Sequence, residues 1–189
     1  MIIIKEGENV YVAENSWIFT SCGCQNWGLC PENAPIFSPG RTKAVVGVSG
    51  RGRCACADVL RYGSVRFPEE LTELSIDRAV IPEYQKQIAG SGILTDGDLS
   101  DTDILIARGN RGFLCNGTDL VMEIGDFYAV GSRAEYELSL LSFYRDLPAL
   151  ERIRTVYRSE SDYYGNVLFP ILYMDTKTRK LNVMEDIGR

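Results

Sequence analysis

Apolar residues along this chain fall into two patterns. Some form unbroken runs: Ile2-Ile3-Ile4, Ala44-Val45-Val46-Gly47-Val48 and Ile104-Leu105-Ile106-Ala107. Such runs, rich in β-branched residues and bounded by turn signals, read as strands. The run over 43–50 reads as a buried strand ending in glycines. Other apolar positions recur at three and four: Cys56, Val59 and Leu60, then Ala134, Leu138 and Leu141, then Leu150, Ile153, Val156 and Tyr157. These read as helices with one apolar face.

Turn residues divide the strands. Glu6-Gly7-Glu8-Asn9 separates Ile2-Ile3-Ile4 from Val10-Tyr11-Val12-Ala13, which makes a hairpin. Gly109-Asn110 and Asn116-Gly117 divide 104–123 into a three-stranded meander. The stretch 15–40 is rich in Gly, Cys, Asn and Pro and reads as loop, with one short strand at Trp17-Ile18-Phe19-Thr20. A helix starts near Arg53 with Gly63 as its cap, and Phe67-Pro68-Glu69-Glu70 opens a second, with proline in its first turn. Residues 82–92 fit helix or loop, and 95–102, with three acids, reads as a solvated turn. A helix follows over 132–144; Asp146 is positioned to cap the next, and 159–166 reads as loop. Strands over 167–174 and 179–184 close the chain as a hairpin. Strands and helices thus come in alternating groups, which favours α+β layers of antiparallel sheet over a doubly wound fold.

Three stretches carry a family resemblance. The opening hairpin, the step Ala44-Val45-Val46-Gly47-Val48-Ser49-Gly50 before a helix, and the step Asp126-Phe127-Tyr128-Ala129-Val130-Gly131-Ser132 before another occur in order. Together they resemble the proteasome β-subunit family of N-terminal nucleophile hydrolases and its bacterial ring-protease relative. The resemblance implies one domain over 1–189, built as a four-layer αββα sandwich of antiparallel sheets. It also implies a site. In that family a threonine opens the first strand, its hydroxyl the nucleophile and its α-amine the base. Alignment of the hairpin puts that threonine at or just before Met1, the acidic residue near Glu14 or Asn15, and the lysine near Asn33. Lys43 is the nearest lysine in sequence, on the other side of the strand signal. Ser132 matches the serine of the second step, while the late aspartate and serine fall near Ser161 and Tyr164, beside Asp162. The resemblance therefore implies the fold without the catalytic threonine and lysine.

Composition narrows the chemistry. The chain has 189 residues, 45% hydrophobic, with a net charge of −6, which disfavours nucleic acid and anionic membranes as partners. The start, MIIIKEGENVYVAEN, has too short an apolar run for a signal peptide, and the chain reads as cytoplasmic with reduced thiols. It contains no histidine, so Ser-His-Asp, Cys-His and histidine-ligated zinc sites are excluded. No cofactor-binding glycine motif follows a strand.

The leading expectation is a proteasome-type fold lacking peptidase activity, a homo-oligomer or a protein that binds a protein partner. The first alternative is an amidohydrolase or peptidase that uses a thiol or hydroxyl unmasked by processing, at Ser21, Cys22 or Cys24. The second is a metal-binding module on Cys22, Cys24 and Cys30, with Cys54 or Cys56 as fourth ligand. Against it, cysteine is often simply buried, as Cys56 and Cys115 are positioned to be. Arg152, Arg154 and Arg158 with Tyr157, Tyr163 and Tyr164 read either as an anion-binding segment or as a solvated helix face. Trp17 and Trp27 read either as interface anchors or as packing beneath the loop.

Overall fold

The computed structural model describes residues 1–15, 17–20, 23–26, 34–40, 42–50, 53–91, 101–116, 120–165 and 169–186. Two five-stranded antiparallel sheets lie face to face. The first contains β1 (Ile2–Glu6), β2 (Asn9–Asn15), β10 (Phe127–Ala129), β11 (Ile171–Asp175) and β12 (Asn182–Met184), ordered β10-β1-β2-β11-β12. The second runs β5-β6-β7-β8-β9, from β5 (Ile36–Phe37), β6 (Val45–Gly50), β7 (Thr102–Arg108), β8 (Arg111–Asn116) and β9 (Val121–Glu123). A separate hairpin pairs β3 (Trp17–Thr20) with β4 (Gly23–Asn26), so the long loop holds a second strand beyond the one its sequence suggests.

Helices cover both outer faces. The second sheet is backed by α1 (Arg53–Tyr62) and α3 (Ile81–Ser91); the first by α4 (Ala134–Phe143) and α5 (Ala149–Tyr164). This is the αββα sandwich, and it explains the unbroken apolar runs. Ile2 and Ile4 pack outward against α4 and α5, while Met1 and Ile3 pack inward against Val45, Leu105 and Leu114. In β6, Val46 and Val48 face α1 and α3, and Val45 faces the other sheet. A strand buried on both faces has no polar side to alternate with. Among the described residues no helix is long and apolar enough to cross a membrane.

Three features of the helices differ from the sequence reading, each for a visible reason. The second helix does not open at Phe67-Pro68. It begins with α2 (Glu73–Ser75), where Thr72 and Ser75 form a reciprocal capping box, and runs through a π-helical stretch (Ile76–Val80) into α3. The carbonyls of Pro68, Glu69 and Leu71 instead accept hydrogen bonds from Arg108 and Arg111. The α5 helix is not capped by Asp146. Its Ala149 N–H donates to Glu6 Oε1 at 2.8 Å, a carboxylate borrowed from the end of β1. Finally, α5 extends through the polar stretch 159–164 to a left-handed Gly165, because Glu160 points inward there and is fully buried.

Candidate functional site

The site forms where the chain begins. Met1 lies one residue before β1, level with the end of β2 and the residue that follows β10. Its α-amine donates to the Val130 carbonyl at 2.9 Å, and the Val130 N–H donates back to the Met1 carbonyl at 2.9 Å. This reciprocal pair fixes the chain start against the step that leads to α4. The side chain lies over Gly47, where a Cβ would come within 2.5 Å of the Met1 sulfur and 3.0 Å of Val12 Cγ1. A glycine in β6 is thus what makes room for a long side chain at position 1. The step 129–134 bends at Gly131, whose φ of +104° favours glycine, and approaches Ser49.

Three buried carboxylates face the amine. Glu14, at the end of β2, lies 3.2 Å from it and Glu137, on the inner face of α4, 3.6 Å. Glu160, on α5, is 0% exposed, and neither of its carboxylate oxygens has a hydrogen-bond partner among the described residues. Arg133 approaches Glu160 at 3.9 Å, and the Tyr157 hydroxyl donates to the Ala13 carbonyl at 3.1 Å beside them. Asp103 on β7 also senses the amine, although burial raises its carboxyl above the ordinary value.

Electrostatics define what this pocket can do. Burial pulls the Met1 amine toward its neutral form, but Glu137 and Glu14 outweigh burial and raise it from 8.0 to about 10. Burial, with Glu137 close by, pushes Glu160 from 4.5 up to about 8. Glu137 is raised as well, chiefly by burial. The ammonium and Arg133 then face Glu14 and Glu137, and at neutral pH Glu160 holds a proton. Groups of opposite sign meet inside the pocket, which is the condition for burying them at all. The amine stays protonated and cannot serve as a base at that pH. A methionine thioether offers no hydroxyl or thiol to attack with.

The remaining sequence candidates are scattered. Glu14 is in the pocket. Ser132 lies exposed in the turn before α4, two residues beyond the carbonyl that accepts from the amine. Asn15 ends β2, and Asn33 lies outside the described residues. Lys43 is exposed just before β6. Cys22 and Cys30 also lie outside the described residues, and Cys24 sits in β4 opposite Phe19. Among the described residues no cluster could hold a metal ion. Cys56 and Cys115 are buried; the Tyr84 hydroxyl donates to Cys56 Sγ at 2.7 Å, and burial pushes the Cys115 thiol up to about 12. The arginines and tyrosines of α5 do not share one face. Arg152 is buried over the Phe127 ring and donates to the Leu141 carbonyl, Tyr157 is buried, and Arg158 pairs with Asp186 at 2.5 Å. Tyr163 and Tyr164 lie outside, packed on Tyr136. Sequence reasoning missed Glu137 and Glu160. Glu137 did carry a signal: it is a charge flanked by the apolar positions Ala134, Leu138 and Leu141.

Two antiparallel sheets between paired helices, with the first strand starting inside, make this the proteasome-type, N-terminal nucleophile hydrolase fold. Among solved structures, BPH from Thiobacillus denitrificans, in complex with epoxomicin, superposes with a TM-score of 0.73 at 19% identity, over 92% of this chain and 96% of that one. Anbu, an ancestral beta-subunit from Yersinia bercovieri, gives 0.69 at 12% identity, over 99% and 87%. Eukaryotic HslV from Trypanosoma brucei gives 0.58 at 11% identity, over 98% of each chain. No protein-family model matches the chain, and no curated protein matches it in sequence.

Proposed function

We propose that this chain is a proteasome-type fold protein without peptidase activity, acting by self-assembly or with a protein partner. One observation carries the reading: the Met1 amine is buried as an ammonium among Glu14, Glu137 and the Val130 carbonyl. The family resemblance puts the nucleophilic threonine at that place. A thioether stands there instead, on an amine whose pKa is raised rather than lowered. Among the described residues, the cations that pull on Glu160 are Arg133 and the amine itself.

Activation by processing fits poorly. A cut before Ser21 or Cys22 would remove β1 and β2, which pair with each other and with β10 and β11 in the interior of the first sheet. Self-assembly is supported by analogy, since Anbu from Pseudomonas aeruginosa, a neighbour with TM-score 0.68, is described as a helical assembly.

The test is intact mass spectrometry after incubation with epoxomicin, the ligand of the BPH neighbour, on protein isolated from its natural source. The expected spectrum is that of a chain starting at Met1, unchanged by the compound. A covalent adduct, or a chain starting at Ser21 or Cys22, sinks the reading. Light scattering on the same sample is expected to give a multiple of the 21.1 kDa chain mass.

A further inference from the structure

A second region has the opposite electrical character. An open cleft of about 650 Å³ lies between the start of β6, the end of α1 and the segment 65–69. None of its lining residues belongs to the amine pocket. In a chain of net charge −6, this cleft gathers Lys43, Arg61, Arg66 and Arg108 against one carboxylate, Glu69.

The cleft is built rather than incidental. One wall is locked at the end of α1: the Gly63 N–H donates to the Val59 carbonyl, and the Ser64 N–H to Gln87 Oε1 at 3.1 Å. A Cβ at Gly63 would come within 2.3 Å of that Gln87 oxygen, so the turn fits closely. The other wall is held by Arg108, which donates to the Pro68 and Glu69 carbonyls. Arg108 Nε is buried with no hydrogen-bond partner among the described residues. The Arg61 guanidinium lies 4.3 Å from the Phe37 ring centroid and is held there by the Ala34 carbonyl. Between these cations, Leu60, Val65 and Phe67 supply apolar surface.

Planar guanidiniums match the paired oxygens of a phosphate. The volume suits a small molecule rather than a bare ion. We infer that this cleft binds a small organic phosphate, its phosphate among Arg66, Lys43 and Arg108 and its apolar part on Val65 and Phe67. The inference is independent of whether the chain has peptidase activity.

The probe is phenyl phosphate, titrated into the full chain at low salt and followed by amide NMR shifts of Thr42 and residues 64–67. Saturable binding is expected, at least about tenfold tighter than that of inorganic phosphate, and weaker as salt rises. The double variant Lys43→Met/Arg66→Met changes only exposed side chains, and should lose affinity about tenfold or more while keeping its circular dichroism. No saturable shift, equal affinity for inorganic phosphate, tighter binding of phthalate, or undiminished binding by the double variant would each overturn the inference.

Discussion

The amine pocket and the basic cleft are two solutions to one problem, the placement of charge in a protein. The pocket is buried and sets the Met1 ammonium and Arg133 against Glu14, Glu137 and a protonated Glu160. The cleft is open and leaves its cations in excess by three. Charge in the pocket is therefore part of the fold, because removing either sign strands the other without water. In the cleft, the charges of Lys43 and Arg66 are exposed to solvent or to a ligand, and the fold depends on those two little. Five substitutions and a pH series separate the two cases.

The largest effect is expected for Glu14→Ala, which leaves the Met1 ammonium with Glu137 as its remaining close anion. Breaking a buried pair by removing one partner costs about 3–5 kcal/mol. Urea unfolding at pH 7 reads this directly, and a loss below about 1 kcal/mol would mean the pocket is solvated after all. Next comes Gly47→Ala. The added methyl meets the Met1 sulfur and Val12, and overpacking of this kind costs about 1–3 kcal/mol. An unchanged thermal midpoint would show that the Met1 side chain lies elsewhere.

The pH dependence follows from two raised groups. Glu160 in the folded chain keeps a proton that the unfolded chain gives up above about 4.5, so stability falls as pH rises from there to about 8. Raised Glu137 and Asp103 act in the same direction, and Tyr157 beside them stays protonated throughout. The amine contributes stability that is fully present below pH 8 and is lost as pH passes about 10. Stability should therefore decline from mildly acidic to alkaline pH. Glu160→Gln should flatten the acidic-to-neutral part and gain stability at pH 8, because glutamine has no carboxyl proton to keep. A thermal-melt series across pH compares the two proteins; parallel curves would remove Glu160 as the titrating group. The smallest effect belongs to the cleft. Lys43→Met and Arg66→Met should each shift stability by no more than about 0.5 kcal/mol, as surface substitutions do. A loss as large as that of Glu14→Ala would erase the contrast between the regions.

The strands were the most legible part of the sequence. Ile2-Ile3-Ile4 and Ile104-Leu105-Ile106 can hardly be anything else, and the glycine steps beside them set the layer order. The helix starts were less legible, because their caps come from afar: Ala149 is capped by Glu6, 143 residues earlier. Half of the pocket was hidden for the same reason. Glu14 was found because it follows the first hairpin. Glu160 was not, because a polar run such as Arg158-Ser159-Glu160-Ser161-Asp162 looks solvated until α4 is placed over it. Nothing local to Glu160 shows that it will be buried beside an amine from the other end of the chain.

That long reach has a consequence for synthesis. The β1–β2 hairpin leaves the ribosome long before its neighbours, yet it becomes an interior part of its sheet, with β10 on one side and β11 on the other. Ile2 waits for Ala129, and Met1 for the carbonyl of Val130. At typical elongation speeds of about 5–20 residues per second, that wait is roughly 6–25 s. Throughout it, a ribbon apolar on both faces has neither of its neighbouring strands. Newborn chains should thus pass through a sticky stage that mature ones never revisit, and cells making this protein quickly would need a chaperone at the exit tunnel.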